Sequence, residues 1–206
     1  MIPVQVLAVQ YLSAVSPELS KALGTDAPCL GLLTTDSDDP TYIALDQATK
    51  DAQVHVCYGR SFYAGAGSAT TPLAGEVIGI LAGPTPGAVR SGMESALSEL
   101  QRVGFEEVSG VPCLAHTVSR CGSFLAKEAG VPEGSPIAYL IAPPLESMVA
   151  MDAALKAADV KLCKLYTPPT ETNFGGGLLT GSQSACAAAC AAFRDMVEKV
   201  ARQPHE

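Results

Sequence analysis

The sequence predicts an α/β fold of sandwich-like α+β character, made twice over in tandem. Three observations predict it. Short β-rich runs alternate with helix-like segments along the 206 residues. The second half repeats the first. The composition, 48% hydrophobic and 17% charged with no tryptophan, is that of an ordered chain that buries a core.

The repeat is read directly. ALDQATKDAQVHVC, Ala44 to Cys57, aligns without a gap on AMDAALKAADVKLC, Ala150 to Cys163, at an offset of 152 − 46 = 106. ILAGPTPGAV, from Ile80, matches LLTGSQSACA, from Leu178, at 181 − 83 = 98, so the loop between the matched blocks is eight residues shorter in the second copy. More weakly, Val6 to Gly24 resembles Cys113 to Gly130. A period this long fits a duplicated small domain better than a stacked solenoid. The expected domains are 1–106 and 107–206.

The elements follow in order. VQVLAVQYL, CLGLLTT, DAQVHVCY and GEVIGILAG read as strands in the first copy, and CLAHTV, PIAYLIA, DVKLCKLY and GGGLLTG answer them in the second. SPELSKALG reads as a helix, with Ser16 to cap it and Gly24 to stop it. Further helices are expected at 41–52, 85–103, 122–130, 147–158 and 184–203. The last is Ala-rich with charges gathered towards its end, as suits a helix laid on a sheet.

Composition also excludes functions. The formal charge is −8 and no basic cluster occurs, so nucleic acid is not an expected partner. No apolar run approaches the roughly 20 residues needed to cross a bilayer, and the N-terminus lacks signal-peptide features, so a cytosolic protein without membrane contact is expected. Seven cysteines without framework spacing fit a reducing compartment. Cys57 and Cys163 stand at equivalent strand positions, where core packing is the simplest role. Cys186 and Cys190 share a helix face without further metal ligands in view. His55 alternates with apolar neighbours on a strand, and His116 is read on the equivalent strand of the second copy.

No chemical signature completes itself. DSDDP lacks the calcium-loop glycine, the glycine clusters lack the Lys of a phosphate loop, and no G-x-S-x-G or paired metalloprotease histidines occur. The expectation is no catalytic residue, no metal and no cofactor. The competing expectation is an α/β enzyme or metabolite-sensing regulator with a site between the two domains.

Two strings, GEVIGILAGPTPGAVRSGMESAL and KAADVKL with the later GGGLLTGSQSACAAACAAF, resemble the helix, pore loop, strand and helix of bacterial microcompartment (BMC) shell domains. In the ordinary domain the strand and helix like VLAVQYLSAVSPELSKALG come last, whereas here each copy begins with them, a circular permutation. With TDSDDPTYIALDQATK, YGRSFYAGAG, AYLIAPPLE and PPTETNF, the whole chain is similar to ethanolamine-utilisation shell proteins of the L type. One departure is the short connection GFEEVSGVPCL between Gly104 and Leu114.

The resemblance implies a pseudohexameric homotrimer tiling a microcompartment shell with other shell proteins in the cytoplasm. It implies a gated pore for a small polar or cationic metabolite. The loops Gly59 to Gly75 and Lys164 to Gly177 are long and rich in small residues, as pore-lining segments would be. It further implies a small amino-alcohol ligand held within each subunit, and carries over to Asp38, Asp39, Glu76, Phe105, Glu171, Thr172 and Asn173. Carboxylates there, with Asp36 beside them, would attract an ammonium group. A solvated acidic loop is the competing reading for Asp36 to Asp39.

Overall fold

A computed structural model describes residues 1–62, 73–168 and 170–205. The chain divides into two compact units. The N-terminal unit comprises Pro3–Val103 with Gly122–Leu125, and the C-terminal unit comprises Met1–Ile2, Gly104–Cys121 and the chain from Ala126 onward.

In the N-terminal unit, β1 (Val6–Leu12), β2 (Cys29–Thr35), β3 (His55–Ser61) and β4 (Val77–Gly83) form one antiparallel sheet in the order β1-β2-β4-β3. The central strands β2 and β4 are nearly all buried because apolar clusters cover both faces, which is why they read as apolar runs without alternation. On one face, Leu33 and Leu81 pack against Ala44, Leu45 and Ala48 of α2 (Asp38–Asp51) and Met93, Ala96 and Leu100 of α3 (Pro86–Glu99). Alanines at these helix positions let the helices lie close to the sheet. On the other face, Leu30, Ile80 and Ala82 cluster with Ala27 and Leu23, just beyond α1 (Pro17–Ala22).

The C-terminal unit repeats this plan with one strand more. Its antiparallel sheet runs β5 (Glu106–Val108), β6 (Val111–Val118), β7 (Ile137–Ala142), β9 (Gly175–Gly181), β8 (Val160–Tyr166). Here α5 (Pro144–Ala157) and α6 (Gln183–Arg202) bury Ala150, Met151, Ala154, Cys186, Ala189 and Phe193 against Leu140 and Leu179. The helix α4 (Ser123–Ala129) follows β6.

The extra strand β5 was not anticipated. GFEEVSGVPCL folds as a hairpin, with Ser109 (φ 51°) and Gly110 (φ 87°) as its two-residue turn. Two central residues at positive φ match the right-handed twist of the flanking strands, so the Ser-Gly pair was the available signal.

Two helices begin earlier than expected, α2 at Asp38 rather than 41 and α5 at Pro144 rather than 147. Acidic residues in a first turn are favoured by the helix dipole, and Pro needs no donor there. His116 lies on β6, the counterpart of β1, so it is not equivalent to His55 on β3; at the 106 offset His55 answers to Lys161 on β8. Cys57 and Cys163 are half-buried where the edge strands slip register, between Val56 and Tyr58 and between Leu162 and Lys164. The duplication has kept the same bulge in both copies.

Candidate functional site

The start of α2 gathers the acidic candidates of the N-terminal unit. Asp38 and Asp39 stand in the first helical turn and are only 6% and 7% exposed, so the solvated-loop reading fails for both; Asp36, just before the helix, is exposed. The turn is fixed by buried hydroxyls: Thr35 and Thr41 Oγ1 lie 2.7 Å apart, and the two protons they carry are shared between that contact and the Ser37 carbonyl, 2.9 Å from Thr35 and 2.7 Å from Thr41. Asp36 accepts from the Gln5 amide at 2.7 Å.

Around these carboxylates the structure brings Glu76, Tyr42 and Ser61. Glu76 is tied by its backbone, its N–H donating to Thr35 O at 2.8 Å and its carbonyl accepting from Phe62 N at 2.9 Å. Burial raises the Asp38 carboxyl above its ordinary range, partly offset by a hydrogen bond to Ser61. Burial likewise raises Glu76, and the nearby charges of Asp38 and Asp36 push it further. Tyr42 is held in its neutral form by burial, and its hydroxyl meets Ser61 Oγ at 2.6 Å. Ser61 and Tyr42 were missed in the sequence; Tyr42, four residues after Asp38, is on the same helix face.

The other candidates lie in the C-terminal unit. The Phe105 and Phe174 rings meet at 5.4 Å between centroids. Thr170 Oγ1 donates to Phe174 O at 2.9 Å, closing a turn that presents Glu171, Thr172 and Asn173, with Glu171 and Asn173 exposed. Asn173 adopts a left-handed backbone with φ 62°. Each unit therefore carries one group of candidates: Asp38, Asp39 and Glu76 in one, Phe105, Glu171, Thr172 and Asn173 in the other. Most of the Gly59 to Gly75 loop, residues 63–72, lies outside the described residues, as does Pro169 in the second loop.

Among the described residues no group of three or more His, Cys, Asp or Glu is arranged to hold a metal ion. No helix among them is long and apolar enough to cross a membrane.

The BMC domain family matches residues 29–112. The bacterial microcompartment shell protein EutL of Clostridium perfringens (strain 13 / Type A) is 58% identical over 205 residues, 97% of this chain and 94% of that protein. The chain belongs to the EutL family of bacterial microcompartment shell proteins. The crystal structure of the ethanolamine utilization protein EutL from Leptotrichia buccalis C-1013-b superposes with a TM-score of 0.95 at 53% identity, covering 100% of this chain and 97% of that one. A trimeric bacterial microcompartment shell protein, PduB, shares the fold with a TM-score of 0.80 at 21% identity, over 96% of this chain and 89% of that one.

Membership of the EutL family makes the chain a structural constituent of a microcompartment shell and not an enzyme. The enzyme-or-regulator alternative has no support. The fold is that of tandem BMC shell proteins, and its partners are other shell proteins in oligomeric tiles. The BMC match begins at Cys29, the first residue of β2, and runs on through β5 into β6. It omits β1 and α1 of the first copy and ends two residues into β6, the counterpart of β1 in the second.

Proposed function

We propose that three copies of this chain close a pseudohexameric tile whose pore passes a small polar or cationic metabolite of ethanolamine type under control of a gate. In this reading residues 1–106 and 107–206 are each one BMC domain, both circularly permuted. The span of the BMC match supports the permutation, since it starts after the first strand and helix. Three chains of two modules give six similar positions around a threefold axis, as closed point-group symmetry favours.

The observation that carries the ligand reading is the buried carboxylate group at the start of α2. Asp38 is almost covered, with Glu76 close enough for the two charges to repel, and among the described residues no Lys or Arg offsets the shift of either. A small ammonium ion would stabilise the ionised form of both groups. Phe105, Glu171, Thr172 and Asn173 complete the proposed ligand set, with Asp39 beside Asp38.

Calorimetric titration of ethanolamine into the purified chain tests the ligand, repeated on Glu76→Gln. Unchanged affinity removes Glu76 from the set. Sedimentation velocity and negative-stain electron microscopy test the tile: a trimer that forms flat sheets supports it, and a stable monomer overturns it.

A further inference from the structure

Beside the start of α2 three polar side chains stand in a row. The Tyr42 hydroxyl meets Ser61 Oγ at 2.6 Å, and Ser61 in turn hydrogen-bonds the Asp38 carboxyl. The row is held at both ends and in the middle. Ser61 is the last residue of β3 and pairs with Val77 of β4, while the next amide, Phe62 N, donates to Glu76 O at 2.9 Å. Tyr42 and Asp38 are four residues apart on α2, and the Tyr42 ring lies 5.8 Å from that of Phe124. Asp38 itself accepts from the Asp39 N–H at 2.9 Å.

Counting protons gives the row a direction. An ionised Asp38 has no proton to give, so the single Ser61 proton goes to Asp38 and the Tyr42 proton goes to Ser61 Oγ. Burial keeps Tyr42 neutral, so it retains that proton. Hydroxyls donating one after another polarise each other, and the bond that ends on a charge is the one that gains most. The relay therefore favours the ionised carboxylate, against the burial that opposes it. Other groups around the site give little help. The titratable side chains facing Asp38 and Glu76 are Asp36, Asp39 and Tyr42, and none of them is a cation. The remaining hydrogen bonds of Asp38 come from its own turn of α2, from the backbone and from Asp39. Among the described residues Ser61 is the one donor that reaches Asp38 from another element.

We propose that Ser61, backed by Tyr42, is a positioning residue that sets the pH above which the site takes a small ammonium ion. It acts through Asp38 and need not touch the ligand. The inference rests on the ammonium-binding reading above. Because an ammonium ion binds the ionised carboxylate, a donor that sustains ionisation extends binding to lower pH.

The test uses the full chain. Ethanolamine is titrated calorimetrically across a pH series that starts in the ordinary carboxylate range, for wild type, Ser61→Ala and Tyr42→Phe. Ser61→Ala should move the rise of affinity to higher pH, with about a tenfold loss on the acid side of the wild-type rise. The loss should shrink to about twofold or less where Asp38 is ionised in both proteins. Tyr42→Phe keeps the ring against Phe124 and should move the rise the same way, by about two- to threefold in affinity on the acid side. If Ser61→Ala lacks a cooperative melting transition, the Tyr42→Phe profile decides alone. An unchanged profile, or a loss equal at every pH, overturns the positioning role and leaves the ammonium site standing. A wild type that binds no ethanolamine at any pH overturns the reading of the site itself, and this inference with it.

Discussion

Gly75 and Asn173 occupy the same turn of the two copies, 173 − 75 = 98 residues apart, and both hold φ at 62°. Each immediately precedes the residue that leads into the inner strand, β4 or β9. The left-handed conformation is open to Gly and tolerated by Asn, so backbone geometry alone accounts for an Asn at this place.

That relationship separates backbone from side chain at Asn173. Asn173→Gly should leave stability within about 0.5 kcal/mol, and Asn173→Ala should cost about 1 kcal/mol, both read from urea denaturation. Gly75→Ala should cost more, because its Cβ would meet Thr35 O at 1.9 Å. If ethanolamine binding survives Asn173→Gly, the residue is present for its backbone and leaves the ligand set.

Asp46 and Asp152, equivalent in sequence, should behave oppositely in the isolated chain. Asp46→Ala strands two buried N–H donors and removes the 3.5 Å partner of Lys50. A loss of about 3 kcal/mol or more is expected in chemical denaturation. Asp152→Ala removes an exposed pair with Lys156 and should cost about 0.5 kcal/mol or less.

The raised carboxyls at the start of α2 give stability a definite pH slope. Their protonated forms are favoured in the folded chain, so this contribution is full below the ordinary carboxylate range and is lost as pH rises through the raised range. Asp38→Asn should flatten the slope just above the ordinary carboxylate range and raise stability at neutral pH. A bound ammonium ion favours the ionised form, so ethanolamine affinity should increase as pH rises through the same window. Titrations in buffers of different ionisation enthalpy should show protons released on binding; a pH-independent affinity would count against carboxylate recognition.

The thiols packed in the core between β6 and α6 should be inert. Burial pushes Cys113 up to about 12 and Cys190 up to about 11, and Cys190 also accepts from Thr117 Oγ1 at 3.4 Å. A thiolate is the reactive form, so at about pH 8 a disulfide reagent should label these two only as fast as the chain unfolds. Immediate labelling of both, followed by mass mapping, would show that α6 is not packed on the sheet.

The duplication was legible because it is a property of letters alone, and the strands β2, β4, β7 and β9 because apolar runs bounded by turn residues have few other uses. The start of α2 was not. TDSDDPT reads as a loop until the hydroxyls of Thr35 and Thr41 are seen to close on Ser37, a contact between residues six apart whose geometry the sequence does not display. The Ser-Gly hairpin of β5 was missed for a related reason, since its three-residue strand is too short for periodicity.

The sequence by itself determined two α/β copies with a common register, the acidic residues at the start of α2 and the resemblance to a shell protein. Only the tertiary structure decided which of two equivalent side chains is buried. Asp46 and Asp152 share their neighbours in sequence, and the difference between them is whether Gly122–Leu125 or solvent lies over the helix. Pattern along a chain records what a helix can bury; the partner that covers it is chosen by contacts between residues far apart in the chain.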